Sequence, residues 1–167
     1  MLSFKAARTG WKARGLAAAL GVGLLAGCQA QPLYGSLSGA NQSITISEAD
    51  SRLEQVVRNE LVLGFGGEQQ NGAYRLNLSV TSALSGLLPG GLDNEFSAAR
   101  TTVTVTYVLK SASTGETVKS GSRFADAQLD LPSQNFAQER AKLEAEDRAA
   151  RQVAALVRAD IAAALAR

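Results

Sequence analysis

The chain of 167 residues has no histidine and only one cysteine, one methionine and one tryptophan. Without an imidazole it cannot assemble a Ser-His-Asp triad, a Cys-His pair or the common zinc sites, so the expectation is a protein that is not an enzyme and holds no metal. Charge is sparse and nearly balanced, with 17 Lys plus Arg against 15 Asp plus Glu. Apolar residues at 46% and charged residues at 19% suit a folded domain and are too apolar for a disordered one. The length allows a single compact unit. No acid occurs before Glu48, and residues 15–27 carry no charge at all.

That uneven start has a recognisable order. Lys5, Arg8, Lys12 and Arg14 come first, and an apolar stretch with Leu16, Leu20, Val22, Leu24 and Leu25 follows. Small residues close it. These are the three parts of a bacterial export signal, and the apolar part is shorter than the ~20 residues that span a bilayer. Leu25, Ala26, Gly27 and Cys28 resemble the lipobox of bacterial lipoproteins. The resemblance implies a signal peptide over residues 1–27, cleavage between Gly27 and Cys28, a diacylglyceryl group on the Cys28 sulfur and an acyl group on its new amino terminus. Each buried methylene contributes ~0.8 kcal/mol, so two or three acyl chains would hold the protein stably on a membrane surface. That covalent lipid is the one attached group expected; no cofactor is.

Four of the 17 basic residues lie ahead of Cys28, which leaves 13 against 15 acids beyond it and a net charge of −2. No cationic excess remains to attract nucleic acid, so none is expected as a partner. Acylation of Cys28 consumes the lone thiol, and stability must come from an apolar core rather than from disulfides. Residues 28–43, with Gln, Pro, Gly, Ser and Asn and few large apolar groups, are expected to form a lipidated tether ahead of a folded domain over 44–167.

Ser43 to Ser47 alternate around Ile44 and Ile46 as a short strand, and Ser47 suits the N-cap of a following helix with Asp50 in its first turn. Leu53, Val56, Val57 and Leu61 recur at helical spacing and predict a helix from about Glu48 to Leu63, ended by Gly64. Three period-two strands come next. Tyr74, Leu76, Leu78 and Val80 alternate with Arg75, Asn77, Ser79 and Thr81; Val103, Val105, Tyr107 and Leu109 alternate with Thr102, Thr104, Thr106 and Lys110. A turn at Ser113, Thr114 and Gly115 leads to a hairpin partner from about Glu116 to Ala127. Ser133 to Arg167 has neither Gly nor Pro, and its stripe of Ala150, Val153, Val157, Ile161 and Ala164 predicts a long helix, part of which should overhang the sheet or break. The expected fold is α+β, a two-layer sandwich with a mainly antiparallel sheet of about four strands and two helices on one face, in the order β-α-β-β-β-α. Its other face is rich in Thr, Ser, Arg and Lys.

Behind Cys28 stand Gln31, Pro32, Leu33, Tyr34 and Gly35, a run that resembles the opening of alphaproteobacterial members of the LptE family, the lipopolysaccharide-assembly lipoproteins. Ala30 stands where that family often has an aromatic. Gln55, Arg58, Asn59 and Leu61, then Tyr74 and Leu76, Arg100 and Thr101, Gly115 and the Ala-rich final helix follow in the order of the family's two-layer sandwich. The resemblance covers nearly all of the chain beyond Cys28. It implies a lipoprotein at the periplasmic face of the outer membrane that inserts into the large LptD barrel as a plug and supports lipopolysaccharide transport to the cell surface. Gln29, rather than Asp, after the lipidated Cys agrees with outer-membrane sorting. A polar sheet face suits a wet barrel interior. Arg75, Arg100, Lys119 and Arg123 are the candidate contacts to lipopolysaccharide phosphates or to the barrel, by charge-assisted hydrogen bonds.

The segment from Ser85 to Phe96 holds Gly86, Pro89, Gly90 and Gly91 but lacks the Gly-Lys-Ser/Thr ending and strand-to-helix setting of a phosphate loop. Leu87, Leu88, Leu92 and Phe96 make it apolar, and the expectation is a loop that is mobile when free and packs on the partner when bound. Two rival classes share the other features. One is an auxiliary lipoprotein of another envelope lipid-transport system of the ABC type. The other is a lipid-anchored hydrolase acting on the cell wall, using Ser with Lys or a carboxylate pair; no Ser-x-x-Lys motif occurs, and Glu144, Glu146 and Asp147, the densest acids, are better explained as a solvated helix surface.

Overall fold

A computed structural model of the chain describes residues 43–90 and 95–166, with backbone alone for 88–90, 95 and 96. Cys28, the cleavage point at Gly27 and the tether up to residue 42 lie outside the described residues. Six elements follow one another: β1 (Ile44–Ile46), α1 (Arg52–Gly64), β2 (Tyr74–Gly90), β3 (Glu95–Ser111), β4 (Thr117–Asp130) and α2 (Asn135–Leu165). The sheet has the order β1-β2-β3-β4. β1 runs parallel to β2, with Ile44 opposite Tyr74, and the other two pairings are antiparallel. This is the expected α+β fold.

The layers form because each element is apolar on one side. Leu76 on β2, Val103, Val105, Tyr107 and Leu109 on β3 and Ala125, Ala127 and Leu129 on β4 are buried on one face of the sheet. Val57 and Leu61 of α1 and Ala149, Val153, Val157 and Ile161 of α2 close over them as one cluster. Burial of each Val, Leu or Ile contributes roughly 1.5–3 kcal/mol, so this layer is the main source of stability. Alanines on α2 let the helix lie close to the strands, and the larger Val and Ile fill the space between.

Local details differ from the sequence expectations. The N-cap of α1 is Ser51, not Ser47: the Ser51 Oγ accepts from the Glu54 amide at 3.1 Å, and the Glu54 carboxylate accepts from the Asp50 amide at 3.4 Å. Such a reciprocal cap outcompetes a start four residues earlier. Ser47 instead joins the sheet edge, its amide donating to Leu76 O at 2.9 Å. Gly64 is the last helical residue rather than the stop. Gly66 and Gly67 take positive φ, and the Gly67 amide reaches back to Val62 O at 2.9 Å, which satisfies a helix-end carbonyl.

The Gly-rich segment expected as a loop is the far end of a hairpin. Pairing of β2 with β3 continues to Gly90 opposite Glu95, with register shifts around Leu88 that absorb Gly86 and Pro89. Inter-strand hydrogen bonds outweigh the local turn preference there, and the irregularity sits where a proline is tolerated. Each long strand has 17 residues, about 56 Å at the usual rise. α2, 31 residues without a break, is about 46 Å. The helix does not break, and the strands are longer than their alternation shows.

Candidate functional site

The two faces of the sheet have opposite characters, and both helices lie on one. On the open face, residues line up in cross-strand rows: Thr45, Arg75 and Lys110; Ser79, Thr106 and Ser122; Thr81, Thr104 and Phe124; Ser85, Arg100 and Gln128. Hydroxyls dominate. Thr102 Oγ1 donates to the Asp126 carboxylate at 2.6 Å within this surface. Arg75 and Lys110 stand directly opposite each other, a like-charge pairing that a sheet normally avoids.

The four candidate basic residues do not form one site. Arg75 and Arg100 share the open face, but they lie at opposite ends of the hairpin, ten residues of β3 apart, or about 33 Å. Lys119 and Arg123 point to the helix side, because β4 pairs them with the inward residues Leu109 and Val105.

Arg123 is already committed to a partner. Its Nε donates to Asp160 Oδ2 at 2.6 Å and its Nη2 to Oδ1 at 2.7 Å, a two-pronged pair between β4 and α2. The Tyr107 hydroxyl, on a residue 1% exposed, donates to the same Oδ2 at 2.7 Å. Hydrogen bonds from Arg123 hold the Asp160 carboxyl below its ordinary value against the opposing effect of burial, with a further contribution from Tyr107 and a weaker one from the charge of Lys119. Burial first, and then donation to Asp160, pushes the Tyr107 phenol up to about 12. Gly121 lies over the ring: a Cβ there would come within 2.8 Å of the Tyr107 oxygen. The cluster is a latch that ties α2 to β3 and β4. Arg123, half-exposed, thus serves the fold through Asp160.

The acids of α2 are also engaged. Arg52 of α1 reaches Asp147 Oδ1 at 2.7 Å and Glu146 Oε2 at 2.9 Å, and Ser82 Oγ donates to the other Glu146 oxygen at 2.9 Å. Glu144 pairs with Arg148 at 3.6 Å. The cluster that would have offered a carboxylate pair instead staples the two helices and β2. Among the described residues no group of three potential metal ligands converges.

Two grooves flank this framework. A shallow one of about 620 Å³ lies at the hairpin end between Leu87, Ala98 and Leu129 of the sheet and Pro132, Ala141 and Glu144. A second, of about 340 Å³, runs beside β4 and is lined by Ser122, Arg123, Phe124, Leu156, Ala159 and Asp160. Periodicity does not foresee this second groove or the latch; a tyrosine in an apolar row is the one sequence sign that an acceptor must arrive from elsewhere.

No family model matches the chain, and no curated protein is similar enough to match it. Solved structures do match. A protein described as a lipoprotein from Caulobacter crescentus CB15 superposes with a TM-score of 0.62 at 26% identity, covering 80% of this chain and 95% of that one. Rare lipoprotein B from Shewanella oneidensis gives 0.56 at 14% identity, over 76% and 97%. A minor lipoprotein from Acinetobacter baumannii gives 0.52 at 17% identity, over 72% and 89%. The last two show a shared fold alone. The α+β sandwich is thus a fold shared with these lipoproteins, a likeness that suggests an envelope lipoprotein held to a membrane and accords with the lipobox-like run ending at Cys28.

Proposed function

We propose that this chain is an outer-membrane lipoprotein of the LptE type, anchored by lipid on Cys28 at the periplasmic face, that plugs and helps assemble an LptD-type barrel and so supports lipopolysaccharide delivery to the cell surface. The observation that carries this reading is the bare face of the sheet. Its hydroxyl-rich rows, with charge only near the ends and on β4, match the polar lumen of a large barrel. The resemblance from Gln31 to Gly35 and the likeness to other lipoproteins support it. Arg75 and Arg100, which have no ion-pair partner among the described residues and face away from the helices, are the contacts for lipopolysaccharide phosphates or the barrel wall; Lys119 approaches from the helix side. No chemical step is required of the protein, whose work is binding and scaffolding.

The test is purification of C-terminally tagged protein from solubilised envelope, with mass spectrometry of what stays bound through stringent washing. One large outer-membrane barrel at near-equal amount is the expected result. Recovery of inner-membrane transport subunits, or of no partner, would overturn the proposal and favour an auxiliary lipoprotein of an ABC-type system.

A further inference from the structure

Charge on the open face of the sheet is sorted along its length. At the end where the described chain begins, Thr45, Arg75 and Lys110 form one row, with Arg75 directly opposite Lys110. Both are exposed, and neither has an ion-pair partner among the described residues. Lys119, opposite Leu109, adds a third cation at this end from the helix side, where Asp160 is already held by Arg123. Glu116, next to the Thr117 that pairs with Lys110, offsets one of the three. The acids of the open face stand at the other end. Asp126 pairs with Thr102 and Asp130 with Ala98, eight and twelve residues of β3 from Lys110, or about 26 and 40 Å. Two cations directly across a strand pair repel each other, a cost that an external anion would relieve.

The cationic end is also the one tied to the anchor. The Ser43 carbonyl accepts from the Tyr74 amide at 3.1 Å and its hydroxyl from the Ala73 amide at 3.0 Å. Ser43 is two residues from Thr45, so the backbone of Arg75 lies within about 10 Å of it. Fifteen residues lead from Cys28 to Ser43 and span at most about 50 Å. Residues 29–42 carry no charge, so electrostatic attraction between the protein and a membrane must come from the domain itself.

We propose that Arg75 and Lys110, supported by Lys119, dock this end of the sheet on the anionic phospholipid phosphates of the membrane that holds the acyl chains of Cys28. Two observations choose that occupant. The cations are spread over both faces of one end, and none of them lines a described groove, so they suit an extended anionic surface rather than one small anion. The anchor, in turn, keeps such a surface within the reach of fifteen residues. Attraction to headgroups fades within about 8 Å at physiological salt, so the end itself must touch the bilayer. Asp126 and Asp130 are repelled by the same surface, which turns the hairpin end away from it. The docking rests on the lipid anchor proposed above and not on the barrel. It assigns Arg75 to the host membrane and leaves Arg100 to the barrel or to lipopolysaccharide.

The experiment reconstitutes the full lipidated chain in vesicles of phosphatidylethanolamine with phosphatidylglycerol, and in vesicles of phosphatidylcholine alone. Acylated Cys28 offers no free thiol, so Thr114→Cys in the turn beyond Lys110 and Ser85→Cys near the hairpin end each carry one fluorophore, and the lipid headgroups carry a quencher. The expected result is strong quenching at position 114 and little at 85 in the anionic vesicles, with the contrast lost in neutral vesicles or high salt. Arg75→Gln with Lys110→Gln should lower the docked-to-free ratio, read from the two fluorescence lifetimes, about 25-fold, or about fivefold for each charge, with unchanged circular dichroism. Equal quenching in anionic and neutral vesicles, or docking that survives the double substitution, would overturn the proposal and leave the anchor standing. Docking that appears only once lipopolysaccharide is added would overturn it in favour of that lipid. Intact mass of the purified chain tests the anchor separately: an unmodified Cys28 would overturn the anchor and this docking with it.

Discussion

The Tyr107, Asp160 and Arg123 latch should behave as an asymmetric pair of contacts. Asp160→Ala removes the only acceptor shown for the Tyr107 hydroxyl, on a residue 1% exposed. A buried hydroxyl left without a partner costs about 1–3 kcal/mol. Arg123 loses its partner as well, but its side chain is half-exposed and is taken up by solvent with little loss. Tyr107→Phe removes the hydroxyl itself and should cost about 1 kcal/mol, since the Asp160 carboxylate keeps Arg123. In the Tyr107→Phe background, Asp160→Ala should then be nearly neutral, giving a coupling of about 1–3 kcal/mol between the two sites. Urea unfolding of the four proteins at pH 7 measures this cycle. The pH dependence adds a second check. Asp160 is depressed in the fold, so its contribution is present above the ordinary carboxylate range and is lost as pH falls through the lowered value. Tyr107 is raised, so its contribution is full below the ordinary tyrosine value of about 10 and is lost as pH climbs from there. The native titration ends at about 12. Tyr107→Phe should abolish this alkaline loss. Additive costs in the cycle, or an alkaline loss that survives Tyr107→Phe, would refute the latch.

Gly121→Ala puts a methyl 2.8 Å from the Tyr107 oxygen and 3.0 Å from Cζ of a ring held at both ends, so we expect a loss of about 1–3 kcal/mol; unchanged stability would show that the ring gives way freely. Ser51→Ala should cost about 1 kcal/mol and Ser47→Ala less, a ranking that thermal melts of the two variants would reverse if the helix began earlier. Ile161→Ala, at a fully buried position, should lose about 2–5 kcal/mol, whereas Leu63→Ala, at a position 75% exposed, should stay within about 0.5 kcal/mol in the same urea assay. Lys110→Glu replaces a like-charge row with an ion pair to Arg75 and should stabilise by roughly 0.2–1 kcal/mol at low salt, a gain that added salt removes.

The order of elements and the buried rows were readable from the chain because they depend on short-range periodicity. Val103 to Leu109 alternate at period two, and Val153, Val157 and Ile161 recur along one helical stripe, so each element carries its own record of which side meets the core. The end of the hairpin was not readable. Gly86, Pro89 and Gly90 argue locally for a loop, and only the pairing of β2 with β3 overrides them. β4 was ambiguous for a different reason: Ala125, Ala127 and Leu129 mark the inner face of its second half, but Lys119, Gly121 and Arg123 share that side in its first half, where no apolar contrast remains. Its register with β3 decides that Arg123 turns inward. Asp160 has the sequence character of a solvated helix charge, and becomes the acceptor for Tyr107, 53 residues away, only when α2 lies down on the sheet. Local periodicity thus determined what each element buries, while long-range packing decided which polar groups meet, because a hydrogen bond needs two groups within about 3 Å and nothing in either segment alone records the distance to the other.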